Sequence, residues 1–326
     1  MSKITSEKFF INFSVFLIHV LNVASYSLQA QDSCKCNYIE SGYYQLVYEA
    51  DIAYLEGKDS LAYEKLQKAE QTCPLLNQFP YQEMELYGRL LLKYNNFSKA
   101  IYYMEELATE YGKEPFYILA ALEKDSILTG NLLLEYPAFN DSILPAIMQK
   151  YNEFYTSERK QLAAELTNIL NSDQEVRANW EKKSKQADST VFFEEMYKTD
   201  SLNAKRFFEI VAKYGYPNGK RYGNNFKNMN LSIRIAALIV HISTYFDIEE
   251  MILQYVRNGE CEPMLFASII DKGILEGKWK KTSLYGVWQN FRDDQIIDIL
   301  HLDDRRMSIG MPTRAMEKRR NELMKR

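Results

Sequence analysis

The chain is poor in the residues that end or bend regular structure, with 13 Gly and 8 Pro in 326 positions. A β-sandwich or barrel needs a turn about every 8–12 residues, so that class is excluded. It also lacks an excess of either charge. Forty Lys and Arg stand against 44 Asp and Glu, a formal net charge of -4, and no global field steers the chain to nucleic acid or an anionic membrane. No Gly-x-Ser-x-Gly elbow, His-Glu-x-x-His pair or dinucleotide fingerprint occurs, which removes the familiar hydrolase, metalloprotease and nicotinamide chemistries. The segment Gly215 to Arg221 is no phosphate loop: its spacing is wrong, neither Ser nor Thr follows Lys220, and a helix precedes it instead of a strand. No motif calls for a cofactor or a resident metal.

What is abundant is Leu, Ala, Glu, Lys and Tyr, a composition that propagates helices, and the expected fold class is all-α. At this length two domains are expected. The N-terminus carries Lys3 and Lys8, an apolar run from Phe9 to Ala24, and a polar stretch ending in Ala30-Gln31. This is the three-part form of a signal peptide over residues 1–30, cleaved after Ala30, and it implies a secreted or periplasmic chain with no stable span after cleavage. The alternative is a retained transmembrane anchor, against which Asn12, His19 and Asn22 interrupt the run.

Export bears on the cysteines, since Cys34, Cys36, Cys73 and Cys261 would all meet an oxidising compartment. Cys34-x-Cys36 precedes the first predicted helix and Cys73 ends the second, so a bridge such as Cys36–Cys73 would tie the tail to the first hairpin. Four cysteines allow three pairings, and sequence does not choose among them. A zinc site is the alternative, lacking paired Cys-x-x-Cys spacing and any nearby histidine.

Residues 31–130 show a repeat. Ala62, Leu66, Ala69 and Pro74 are echoed by Ala100, Met104, Leu107 and Gly112, 38 residues on, after helices predicted at Tyr43 to Leu55 and Tyr81 to Tyr94. Small Ala62, Ala69, Gly88 and Ala100 let neighbouring helices nest, while Tyr and Leu fill the gaps. The segment Tyr87-Gly88-x-Leu90-Leu91-x-x-Tyr94-Asn95-Asn96-Phe97-Ser98-Lys99-Ala100 resembles the tetratricopeptide repeat, with two units and a third begun at Glu114-Pro115-Phe116. A generic αα-hairpin bundle would use the same alanines. The resemblance implies a binding surface for a protein or peptide partner.

Turn residues cluster at Tyr136-Pro137 and Asn140-Asp141-Ser142, so residues 131–157 are expected to be a linker and connecting helix before a second helical domain over 158–326. From Ala146 to about Lys185 one long helix, or two broken near Asn171-Ser172-Asp173, is predicted. Further helices are predicted at Leu202 to Lys213, capped by Ser201, at Leu231 to Tyr245, after Asp247 with Glu250 as a capping box, and from Pro263 to Lys272 with Gly273 as its stop. Residues 277–286 are expected to form a short hairpin or irregular loop.

His241 interrupts an apolar helix and is the candidate acid or base, against the plainer reading of a hydrogen-bonded core histidine. Asp271 sits in the last predicted turn of its helix, where its charge opposes the macrodipole and requires a partner. His301 with Asp298, Asp303 and Asp304 raises a divalent site, against which stand helix capping and pairing with Arg305 and Arg306. The pieces Asp173-Gln174-Glu175-Val176-Arg177, Asp200, Tyr214-Gly215-Tyr216-Pro217, His241 with Asp247, Asp271-Lys272, Leu284-Tyr285-Gly286 and Asp304-Arg305-Arg306 with Gly310 resemble, in order, a bacterial family known as a domain of unknown function. The chain departs from that pattern at Tyr216, Val240 and Lys272, where Trp, Gln and Arg are usual. The resemblance implies that Asp200, His241, Asp247, Asp271, Tyr285, Arg305 and Arg306 converge. On that basis His241, Asp271 and Arg305 are the catalytic candidates, and Asp200, Asp247, Tyr285 and Arg306 the binding ones. Two functions are thus expected: a partner-binding or scaffolding protein, or an extracytoplasmic enzyme with an acid–base or metal site around His241 and Asp271.

Overall fold

The computed structural model describes residues 36–325 except 79, 184–188, 224–228, 244–246, 277–281 and 288–292. Residues 1–30, read from sequence as a signal peptide, and Cys34 lie outside the described residues. All regular elements among them are helical, fifteen α-helices with short π and 3-10 turns, so the fold is all-α. No helix among the described residues is long and apolar enough to cross a membrane.

The chain divides into two compact units, one of residues 36–170 with 218–326, the other containing residues 171–217. In the larger unit α1 (Tyr43–Leu55) and α2 (Asp59–Thr72) form a hairpin across Glu56-Gly57-Lys58, with Gly57 at φ 76° where a side chain would be strained. Ala62, Leu66 and Ala69 of α2 are fully buried, and the alanines permit close packing against α1, whose Tyr43, Val47 and Ala50 are buried as well. A second hairpin, α3 (Glu83–Lys93) and α4 (Phe97–Tyr111), follows across Tyr94 to Asn96. Gly88 lies against α5 (Phe116–Lys124), where a Cβ would press on the end of the Ile118 side chain.

Next come α6 (Ser126–Glu135), capped by the Asp125 carboxylate, and α7 (Leu144–Phe154), which packs on α4. The region expected to hold a linker and connecting helix, 131–157, contains the end of α6 and all of α7. The long helix expected from Ala146 is interrupted earlier than at Asn171. Tyr155 turns out of α7 to donate its hydroxyl to the Gly112 carbonyl at 2.5 Å, and Thr156 accepts from the Arg159 amide to cap a new helix. That helix, α8 (Ser157–Lys183), runs through 171–173 without a break.

In the smaller unit α9 (Ser189–Tyr214) begins well before Ser201, which lies inside it, and ends at Gly215 with φ 80°. The larger unit resumes with α10 (Gly219–Tyr222), α11 (Met229–Ser243), α12 (Glu249–Arg257) and α13 (Pro263–Glu276), where α13 packs on both α11 and α12. Asp247 does not cap α12: the residue before the helix is Ile248, with no side-chain cap, and Asp247 is exposed. Of residues 277–286, expected to be a short hairpin or irregular loop, the described part, 282–286, is an irregular loop joined by one parallel bridge, Ser283 to Ile296, and 277–281 fall outside the described residues. The chain closes with α14 (Leu302–Ser308) and α15 (Arg314–Leu323).

The C-terminal segments pack on α1. Tyr38 donates its amide to the Arg257 carbonyl, Tyr44 its hydroxyl to the Val256 carbonyl, and Tyr48 its hydroxyl to the Gly310 carbonyl, all at 2.7–2.9 Å. Arg320 of α15 meets Asp51 at 2.7 Å and Arg319 meets Glu56 at 2.8 Å. Helix α1 is consequently buried on two sides, by α2 and by the C-terminal segments, which is why its apolar residues do not keep to a single stripe.

Candidate functional site

Four of the seven polar positions singled out in the sequence meet around one loop, residues 283–287. Helix α13 continues through Gly273 to Glu276, so Asp271 stands more than a turn before its end and does not face the unpaired terminal carbonyls. Its carboxylate is fully buried and accepts four hydrogen bonds. Ser283 Oγ donates to Oδ2 at 2.5 Å, the Leu284 and Tyr285 amides to Oδ1 at 2.7 and 3.0 Å, and the Val287 amide to Oδ2 at 3.0 Å. Ser283 Oγ in turn accepts from the Gly286 amide at 2.7 Å, and Gly286 adopts φ 65°, which permits the turn.

The carbonyls of the same loop are taken by the two arginines. Arg305 Nε donates to the Leu284 carbonyl at 3.2 Å and Nη2 to the Asp298 carbonyl at 3.0 Å. Arg306 is fully buried and donates Nε to the Pro312 carbonyl at 2.7 Å, Nη1 to the Tyr285 carbonyl at 2.9 Å and Nη2 to Glu317 at 2.5 Å. Amides go to an acid and carbonyls to arginines, so an irregular segment is held inside the fold with its backbone satisfied. The Tyr285 hydroxyl is pushed up, first by burial and then by the charge of Asp271.

The other three positions do not join this loop network in the same way. Asp200 lies in the smaller unit, where Arg177 binds both its oxygens at 3.0 Å and reaches Asp173 at 2.7 Å. Asp173 and Asp200 are both buried, so this is an internal clamp between α8 and α9. His241 is half-buried in α11, and Lys272 of α13 reaches the neighbouring Val240 carbonyl at 3.4 Å. Asp247 is exposed. At the acidic cluster near the C-terminus, His301 Nδ1 contacts the Asp298 carboxylate at 2.9 Å, both groups exposed, while Asp303 accepts from the Arg314 amide at the start of α15. Among the described residues no group of three or more His, Cys, Asp or Glu is placed to hold a metal ion.

Cys36 and Cys73 form a disulfide across 37 positions, their Cα atoms 5.7 Å apart, and Cys261 is buried. At the turn end of the first two hairpins a groove of about 530 Å³ is lined by Gly57 to Leu61, Glu64, Lys93 and Tyr94. Leu61 and Tyr94 are 41% and 42% exposed there, among paired charges that include Lys93 with Asp59.

Sequence reasoning missed the other buried acids. Glu83 is 2% exposed, accepts from the Gln78 amide at 2.9 Å, and is pushed up to about 7 by burial. Burial, with Glu83 nearby, pushes Glu262 up to about 8. Burial also raises Asp51, and Arg320 only partly offsets it; Glu85 is raised by burial against the pull of Lys113. As the first residue of a helix Glu83 reads as an exposed acid favoured by the dipole, and nothing local marks it as interior. The spacing of Tyr44, Tyr48 and Asp51 was the available signal, since it lays a second buried stripe along α1. Compared with known proteins, the chain matches no protein family, no curated protein and no solved structure.

Proposed function

We propose that this is an exported protein whose TPR-like hairpins bind a protein or peptide partner in the secreted or periplasmic space. The observation that carries the reading is the commitment of Asp271. A carboxylate already accepting four hydrogen bonds from one loop is a structural acid, so an acid–base site built on His241, Asp271 and Arg305 loses its central member. Arg305 is spent in the same way on loop carbonyls. A groove at the hairpin turns offers a surface for this, where exposed Leu61 and Tyr94 line one site among paired charges. An aromatic and an aliphatic side chain inside a polar rim suit a peptide anchor. Export is supported by the basic, apolar and small-residue order of residues 1–30 and by the Cys36–Cys73 bridge, which suits an oxidising compartment.

Capture from the native envelope with the mature chain as bait tests the binding reading. The same partners should be held by the wild type and by His241→Ala, and lost with Leu61→Glu and Tyr94→Glu together. Partners indifferent to both hairpin substitutions would overturn it. N-terminal mass spectrometry tests export separately: the chain should begin after Ala30, and a chain still starting at Met1 sinks that part of the reading.

A further inference from the structure

Helix α6 is apolar on two opposite sides. Leu128 and Leu132, one turn apart, are buried, and the helix packs on α5. Ile127 and Leu134, two turns apart on the other side, are 76% and 83% exposed, and Gly130 and Asn131 between them are exposed as well. A helix that is apolar all round is normally covered all round. In a row of helical hairpins the next hairpin covers such a side, but α7 packs on α4 and leaves Ile127 and Leu134 in the open. None of these residues lines the groove at the hairpin turns.

Gly130 has no packing role within the chain. It lies inside a helix without a positive φ, and a Cβ built there would meet nothing within 4 Å. Alanine would hold the helix better at such a position. A second helix crossing at Gly130 supplies the missing reason, because the absent side chain lets two helix axes approach closely.

We propose that this face binds a second copy of the chain, α6 crossing α6 antiparallel about a two-fold axis between Gly130 and Asn131. The order of residues is self-complementary under that operation. Ile127 meets Leu134 of the second copy, Leu134 meets its Ile127, and Gly130 lies against its Asn131, so both apolar side chains are covered and the close approach falls at the glycine. The charges agree with this direction. Glu135 ends α6, where its charge opposes the macrodipole of its own helix. Antiparallel pairing carries it to the N-terminal end of the other α6, where exposed Lys124 stands and an acid is favoured. Glu123 and Asp125 lie at that end too, but Asp125 is already taken by the Ile127 and Leu128 amides at 3.1 and 3.0 Å. Parallel pairing would instead set Glu135 against Glu135. A ten-residue helix is about 15 Å long, so the patch lies at or below the small end of standard interfaces, roughly 1,200 Å². The pairing is therefore reversible, with a dissociation constant in the micromolar range.

Sedimentation of the mature chain from about 1 to 300 µM tests this. The wild type should pass from monomer to dimer over that range. Ile127→Lys and Leu134→Glu should each stay monomeric with an unchanged thermal midpoint, since both side chains are exposed. Mixed in equal amounts, the two variants should pair again, because the introduced lysine and glutamate face each other in one half of the interface while Leu134 and Ile127 meet in the other. A parallel association gives no such rescue. Gly130→Ala should weaken pairing by about tenfold or more without lowering the thermal midpoint. A wild type that stays monomeric throughout overturns the proposal. So does a dimer indifferent to Ile127→Lys and Leu134→Glu, or a pair of variants that fails to associate when mixed.

Discussion

Asp271 and Glu83 are both buried acids of the larger unit, yet their surroundings are opposite. Asp271 is met by a hydroxyl and three amides from a loop with little other means of staying folded inward, and two arginines receive that loop's carbonyls. Glu83 accepts from two amides, faces raised phenols and another acid, and has burial as its dominant influence. One acid gathers four donors from a loop, whereas burial drives the other towards its neutral form. Burial alone therefore says little about the role of a carboxyl; the donors aimed at it decide whether the charge is kept.

The largest effect expected is for Asp271→Ala. It strands a buried hydroxyl, the buried Tyr285 amide and two part-buried amides, and should cost about 4 kcal/mol with loss of order in 283–287, measured by urea unfolding and exchange. A loss under about 1 kcal/mol would break the contrast, because the loop would then hold itself. Arg306→Met comes next at about 3 kcal/mol, since it leaves Glu317 and two carbonyls without their donor at a fully buried position.

Glu83→Gln should act in the other direction. At pH 8.5 it removes an ionised buried carboxylate and should stabilise the chain by about 2 kcal/mol, while at pH 5 it should change little, because the native carboxyl is then protonated. Equal effects at both pH values would erase the distinction between the two acids. The smallest effect belongs to Asp247→Ala, which the exposed position holds to within about 0.5 kcal/mol. A working capping box would lose about 1 kcal/mol, so thermal melting separates the sequence reading from the observed one.

Much of the fold was legible where the causes are local. Tyr43–Leu55 has the boundaries read from its sequence, and Glu83–Lys93 falls inside the predicted Tyr81 to Tyr94, because alanine spacing and short polar turns act within a few residues. Gly88 was read as a point of close helix approach, and Ile118 lies against it. The break after Phe154 was not legible: it depends on Tyr155 reaching the Gly112 carbonyl, 43 positions away in the chain. Of the candidate site, the meeting of Asp271, Tyr285, Arg305 and Arg306 was anticipated by resemblance, but its purpose was not. Whether a buried acid serves a reaction or a loop depends on which donors face it, and those come from remote segments.

Few glycines and prolines, balanced charge, and small residues at helical spacing were enough to specify an all-helical chain with paired hairpins at its start, because helix formation and hairpin nesting are governed by neighbours three to seven residues apart. Tertiary structure alone settled that α1 is covered by the C-terminal segments as well as by α2, that Asp271 is met by four donors and that burial presses Glu83 to give its charge up. Solvation and the direction of hydrogen-bond donors decide those matters, and both are set by chain segments that meet only after folding.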